Sequence, residues 1–206
     1  MLLQFLCVKL EFINMQINNR IFNYGVELEL LTIDKIEKVR FWRNDSKISQ
    51  YMEYREEITP EQQESWFNKL NNGVDNLYWI IRYKEEDIGL FNIKDLDYDK
   101  RTGETGVFIY SDKYLNTDIS YRAHLVMFDY IFVELDLRST YCHILKSNLR
   151  AQRFSQFLGA NIASGQEEVD NQLYFIYKND YLNNINRIRF INKYAKQQAK
   201  ESVESR

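Results

Sequence analysis

The sequence is poor in the residues that break or cross-link a chain. Its 206 residues include one proline, Pro60, and seven glycines. No Gly/Ser/Pro-rich stretch could serve as a flexible linker, and no repeat or low-complexity run is present. The elements must therefore follow one another through short connections. The two cysteines, Cys7 and Cys142, are too far apart in sequence for a disulfide framework or a zinc-ligand spacing. A reducing, cytoplasmic setting is expected, with no metal. No apolar run approaches the roughly 20 residues of a membrane helix, so no membrane role is expected. Basic charge is not in excess either. Lys and Arg number 27 against 30 Asp and Glu, for a net charge of −3. A duplex nucleic-acid binder would show a basic face, so no nucleic-acid partner is expected.

What is present is apolar and aromatic. Hydrophobic residues make up 45% of the chain, with 15 Tyr and 13 Phe, enough for an ample core and an aromatic interior or cleft. Residues 1–14 are apolar but short, and Lys9 and Glu11 interrupt them. They read as an uncertain extension, either an extra strand or a consequence of start-site choice, with Met15 as a second start. Residues 15–179 read as the main domain and 180–206 as a helical tail.

The hydrophobic pattern then gives an order of elements. Residues 26–31 alternate as a strand. Thr32 caps a helix that turns Ile33, Ile36 and Val39 inward and ends near Trp42, Arg43 and Asn44. Residues 46–58 are irregular or a short helical piece. Thr59-Pro60-Glu61-Gln62 is a capping box with Pro at the first helical position. Trp66, Phe67 and Leu70 form the stripe behind it, and Gly73 is the terminator. Three runs, 77–83, 88–93 and 103–110, read as an antiparallel meander. A polar loop, 111–120, precedes a helix with Tyr121, Leu125, Phe128, Phe132 and Leu135 at helical spacing. A strand follows at 139–145. Asn148 caps a helix carrying Ala151, Phe154, Phe157 and Leu158 inward, with Gly159 at its end. A last strand at 172–177 leads to the tail, with Leu182, Ile185 and Ile188 inward and Arg187, Arg189 and Lys193 outward. The fold class is α/β.

This order resembles the GNAT superfamily of N-acetyltransferases over roughly residues 26–177. Three local matches carry the resemblance. Phe41-Trp42-Arg43-Asn44, followed by Ile48, Met52 and residues 59–67, resembles the acceptor-side start of the branch acting on ribosomal-protein termini and nucleotide-linked amino sugars. Gly103-Glu104-Thr105-Gly106-Val107-Phe108-Ile109 looks like the family's central fourth strand. Asn148-Leu149-Arg150-Ala151, continuing to Leu158-Gly159-Ala160, is similar to its N-x-x-A helix.

The resemblance implies a mixed, mostly antiparallel central sheet with helices on both faces and a splay between strands 4 and 5. It implies acetyl-CoA as co-substrate and a small-molecule amine as acceptor, in a monomer or homodimer. The backbone at Val107, Phe108 and Ile109 would bond the pantetheine arm. The pyrophosphate would sit on N–H groups at Asn116, Thr117, Asp118, Ile119, Ser120 and Tyr121, because a helix start presents free donors and a positive dipole end. Asn148 would touch the coenzyme. Glu104 would be the base for the amine, with His143 as the alternative, and Ser155 stands where the family has a proton-donating tyrosine. Arg43, Asn44 and Tyr51 would bind the acceptor. His124 reads as a surface residue.

The sequence departs from the family in the phosphate loop, which is degenerate. Asn116, Asp118 and Ser120 occupy glycine positions. Asn and Asp tolerate positive φ best among non-glycine residues, but Asp118 brings a carboxylate toward an anion. At ~4 Å that repulsion is on the order of 4 kcal/mol before screening, with Arg122 and Arg150 as possible offsets. Three functions stay open: an acetyl-CoA-dependent N-acetyltransferase, a degenerate binding or regulatory protein, and an enzyme using another acyl donor.

Overall fold

A computed structural model describes residues 18–70 and 75–204. The expected extension at residues 1–14 and the terminator Gly73 lie outside them. Contacts group the chain into two compact units, one up to Leu137 and one from Arg138 onward.

The first unit opens with a hairpin that the alternation did not reveal. Strand β1 (Arg20–Asn23) pairs antiparallel with β2 (Val26–Leu30) across Tyr24 and Gly25, both at positive φ. That is the backbone a two-residue hairpin turn needs. After β2, Thr32 starts only a single 3₁₀ turn, Ile33–Lys35, before helix α1 (Ile36–Asn44). Ile33 is 56% exposed, contrary to expectation, because that turn carries it off the packed stripe; Ile36 and Val39 are buried. Helix α2 (Ser46–Ser49) is the short piece expected after α1. Helix α3 (Pro60–Leu70) starts with the expected reciprocal bonds. Thr59 N–H donates to Gln62 Oε1 at 2.8 Å, and Gln62 N–H donates to Thr59 Oγ1 at 3.3 Å.

Strands β3 (Leu77–Tyr83), β4 (Glu86–Asp97) and β5 (Thr102–Ile109) form the meander and extend the sheet from β2, all antiparallel. Strand β4 runs further than expected, with an irregularity between Lys94 and Asp97. Strands β4 and β5 approach closely at Gly89, where a Cβ would stand 2.2 Å from the Phe108 carbonyl oxygen. Helices cover both sheet faces of this unit. On one, Val39 and Trp42 of α1 and Phe67 of α3 pack with Ile80 and Leu90, flanked by Trp66, Tyr78, Phe108 and Tyr110. On the other, Trp79 stacks on Phe91 at 5.3 Å and meets Tyr130 edge-on at 5.5 Å. Tyr130 belongs to a π-helical segment, Tyr130–Glu134, that continues helix α5 (Asp118–Asp129). Between β5 and α5, the expected loop instead contains helix α4 (Asp112–Leu115).

In the second unit, β6 (Ser139–Leu145) pairs antiparallel with β8 (Asn171–Tyr177), which also pairs with the short β7 (Asn161–Ile162). Helix α6 (Leu149–Phe157) is capped by Asn148, whose Oδ1 accepts from Ala151 N–H at 3.1 Å. Leu158 is buried, but Phe157 is 45% exposed instead of inward. The tail is two helices, α7 (Lys178–Leu182) and α8 (Ile185–Glu204). Arg189 and Lys193 face outward as expected and Leu182 is half-buried, but Ile185 and Ile188 are exposed and Arg187 lies 4.8 Å over the Tyr181 ring, contrary to expectation. The break at Asn183 and Asn184 resets the helical phase, which a single continuous period cannot anticipate.

Candidate functional site

The β5–α5 connection is tighter than its polar sequence suggests. Thr117 is the N-cap of α5, so Asp118, Ile119 and Ser120 form its first turn and only Asn116 and Thr117 remain between the helices. Side chains here bond inward. Thr117 Oγ1 donates to the Tyr114 carbonyl at 2.9 Å and accepts from Ile119 N–H at 3.2 Å. Ser120 Oγ donates to the Tyr114 and Leu115 carbonyls at 2.8 and 3.0 Å. Hydroxyls thus hold a turn that glycines would otherwise allow. Tyr121 is buried in the packed side of α5.

Asp118 does not confront an anion alone. Arg122, one helical turn on, donates to its Oδ2 from Nη2 at 2.6 Å and Nε at 3.0 Å. The first turn of a twelve-residue helix, with its one acidic side chain paired, fits a phosphate. His124 corrects a sequence expectation, since it is buried rather than exposed. Burial pushes its imidazole down to about 4, against the opposing pull of its contact from Nδ1 to the Ser120 carbonyl at 2.7 Å. It stands neutral inside the unit.

On β5, Val107, Phe108 and Ile109 lie opposite Phe91, Leu90 and Gly89 of β4. Alternate backbone groups of an antiparallel strand point to its other edge, which is where an extended arm could bond. Phe108 meets Trp42 edge-on at 6.2 Å. At the end of β5, Tyr110 stacks on Trp42 at 5.4 Å and donates to Asp45 Oδ2 at 3.0 Å, with Lys47 Nζ 3.8 Å over its ring. This clip fixes the α1–α2 corner beside β5.

The α1-side face holds the other candidates. Glu104, opposite Lys94 in register, pairs with its Nζ at 3.1 Å. The next cross-strand row on this face, two pairs along, is Tyr78, Asn92 and Gly106. Arg43 reaches Tyr78 from α1. Burial lowers the Arg43 guanidinium, and Tyr78 partly opposes this; burial pushes Tyr78 up to about 12 against the pull of Arg43. Arg43 Nε is buried and finds no acceptor among the described residues. Asn44 is committed to its own chain, because Oδ1 accepts from Ile58 N–H and Nδ2 donates to the Ile58 carbonyl, both at 2.9 Å. Tyr51 is exposed on the turn after α2. Trp66 meets Tyr78 edge-on at 4.9 Å, while Trp79 is fully buried in the core.

In the second unit, His143 is exposed on β6, edge-on to Tyr141 at 6.3 Å. Ser155 is half-buried on α6, and its carbonyl accepts from Leu158 and Ala160 N–H groups at 3.1 and 2.9 Å. Asn148 is occupied as the cap. Among the described residues, no group of three or more His, Cys, Asp or Glu side chains could hold a metal, and no helix is long and apolar enough to cross a membrane. Sequence reasoning passed over Tyr78 and Asn92. The signal was there: Asn92 is the one polar side chain in the apolar run Ile88-Gly89-Leu90-Phe91-Asn92-Ile93.

Comparison with known proteins follows the same lines. No curated protein matches the chain in sequence. The spermidine N-acetyltransferase of Vibrio cholerae, solved with CoA and spermine, superposes with a TM-score of 0.69 at 20% identity, over 78% of this chain and 100% of that one. FdhC, described as a nucleotide-linked sugar GNAT, gives 0.68 at 20% identity, over 85% and 98%. A domain from Methanocaldococcus jannaschii gives 0.64 at 17% identity, over 74% and 97%. At these identities the structures share the fold: a mixed, mostly antiparallel sheet flanked by helices. The model of the acetyltransferase (GNAT) domain matches residues 26–161, well over half of the chain, and the protein therefore belongs to the GNAT acetyltransferase family.

Proposed function

We propose that this protein transfers an acetyl group from acetyl-CoA to a primary amine on a nucleotide-linked amino sugar. The observation that carries the acceptor class is Arg43, a partly buried cation with no carboxylate partner among the described residues. A polyamine site would want anions there; a phosphate-bearing acceptor would complete the guanidinium. The similarity to the nucleotide-linked sugar GNAT is in keeping with this.

Acetyl-CoA supplies the thioester whose carbonyl carbon the amine attacks, forming the amide C–N bond and releasing the thiolate. Residues 107–109 hold its arm through backbone groups, and residues 116–121 with Asn148 hold its phosphates. A β5 N–H facing the carbonyl oxygen stabilises the negative charge that develops there. Glu104 takes the proton from the ammonium so that a neutral amine attacks. His143 stands as the alternative acceptor of that proton, and Ser155 is assigned to the leaving thiolate. Arg43, Asn44 and Tyr51 orient the acceptor. Residues 15–179 are the catalytic domain, acting in the cytoplasm as a monomer or homodimer.

A second reading, a binding protein without transfer, is favoured by the glycine-free phosphate turn. Calorimetry with acetyl-CoA separates the two. Saturable micromolar binding, followed by acetylation of UDP-glucosamine in preference to spermidine, is expected. No binding at millimolar acetyl-CoA by folded protein would remove the enzyme reading.

A further inference from the structure

Two buried N–H donors on the α1-side face lack an acceptor among the described residues: Arg43 Nε and Asn92 Nδ2. Both flank Tyr78. Asn92 is its cross-strand partner, and Arg43 is its charged neighbour from α1. A buried donor without an acceptor is costly, and more so when charged, so two together on one face are not explained by packing. Both are donors, so what they lack is an acceptor, and one of them carries positive charge. Arg43, Tyr78, Asn92 and Gly106 are each only half-buried as residues, so the row is open to solvent while these two atoms are not.

Gly106 completes the row. A Cβ there would stand 2.7 Å from Asn92 Oδ1 and 3.3 Å from its Cγ and Nδ2. The missing methyl is what lets the Asn92 amide lie against β5. Two pairs further along, on the same face, sits Glu104, held by Lys94.

We propose that Arg43 Nε and Asn92 Nδ2 together receive one oxyanion of the acceptor, a phosphate or a carboxylate, with Gly106 positioning the Asn92 amide. This rests on the proposed acetyl-transfer reading and adds to it a selectivity element. The acceptor must carry an anionic oxygen roughly 7 Å or less from its amine, because the Asn92–Gly106 pair lies two residue pairs along the ladder from Glu104. Asn92 is thereby a specificity-determining residue and Gly106 a positioning one.

Nitrogen-resolved NMR of the whole chain tests this. The Arg43 Nε–H signal is assigned by its loss in Arg43→Lys, and the Asn92 amide pair by its loss in Asn92→Leu. With coenzyme A saturating, pyrophosphate, acetate and spermidine are titrated separately. Both signals should move saturably with pyrophosphate or acetate, the better of the two showing which oxyanion is read, and stay still with spermidine. Gly106→Ala should weaken that binding about tenfold by displacing the amide, with no change in charge. Silence of both signals to ~50 mM of either anion, or a response to spermidine instead, overturns the proposal. Coenzyme A binding, followed on the Ile119 and Ser120 amides, is a separate readout. Its absence would count against the acetyl-transfer reading while the anion titrations alone still decide the subsite.

Discussion

Arg82 and Arg43 stand on the same side of the first unit's sheet and meet opposite surroundings. Arg82 lies among Asp87, Glu27, Glu29 and Glu85, at 3.1, 3.2, 3.4 and 3.5 Å. Burial would lower it, but those carboxylates, Glu29 and Asp87 foremost, hold it above its ordinary value. For Arg43 burial outweighs the opposing pull of Tyr78, with no carboxylate beside it among the described residues, and it is lowered. A folded chain surrounds a cation with acids when the cation is for the fold. Leaving one bare costs stability, and the cost is tolerated where a ligand is to supply the missing acceptor. His124 shows a third outcome: a buried group that stays neutral.

The largest effect expected belongs to His124, the control for what a buried charge costs when nothing meets it. Its folded value of about 4 lies below the ordinary 6.5. The unfolded chain therefore binds the extra proton first as pH falls. The stability it confers is complete above pH 6.5 and is lost between 6.5 and 4, to a total of about 3 kcal/mol. Urea unfolding at pH 7 and pH 4.5 should show that loss, and His124→Gln should reduce it. An unchanged pH profile in the variant would mean that other groups govern acid unfolding.

Next come the arginines themselves. Arg82→Met strands Asp87, whose side chain is 8% exposed, although Lys35 and Lys38 remain on it. The cost should be about 2 kcal/mol, less than for a fully broken buried pair. For a chain of this size that lowers the melting temperature by roughly 4–8 °C. Arg43→Met should leave the melting temperature unchanged or raise it slightly, since an uncompensated cation is replaced by an apolar stem. In return it should raise the acceptor KM about 10- to 100-fold. If the two variants melt equally low, the comparison collapses and Arg43 is structural.

These contrasts were unequally visible in the sequence. The capping box at Thr59, the meander and the Asn148 cap were legible because each rests on local chemistry: a side chain bonding a backbone group three residues away, or alternation along one strand. The β1–β2 hairpin was hidden because Tyr24 supplies a positive φ without the usual Asn or Asp. Helix α4 and the first turn of α5 looked like loop because their residues are polar. Their order comes from Thr117 and Ser120 bonding back to Tyr114 and Leu115. Arg43 was legible as a candidate from its motif, but its lack of a partner was not, since pairing across strands depends on register. Asn92 shows this most clearly, because its neighbours Tyr78 and Gly106 come from two other strands. His124 was misplaced because helical spacing alone does not tell which side of a helix as apolar as α5 meets solvent.

The smallest effect expected is at Asp118, and it carries the comparison to the coenzyme end. Asp118 and Arg122 form an i, i+4 pair in which the arginine side chain is 19% exposed and the carboxylate 57%. If Arg122 already neutralises the carboxylate, Asp118→Gly removes repulsion and counter-charge together. Acetyl-CoA affinity, measured by calorimetry, should then change by less than about threefold, well short of what a bare carboxylate beside a phosphate would imply. Arg122→Gln should do more than Asp118→Gly, weakening binding by exposing the carboxylate, and the double variant should restore it. A large gain from Asp118→Gly alone would show that Arg122 does not shield it when the coenzyme is bound. The helix start would then resemble the Arg43 face, a charge left without its partner, instead of the Arg82 cluster.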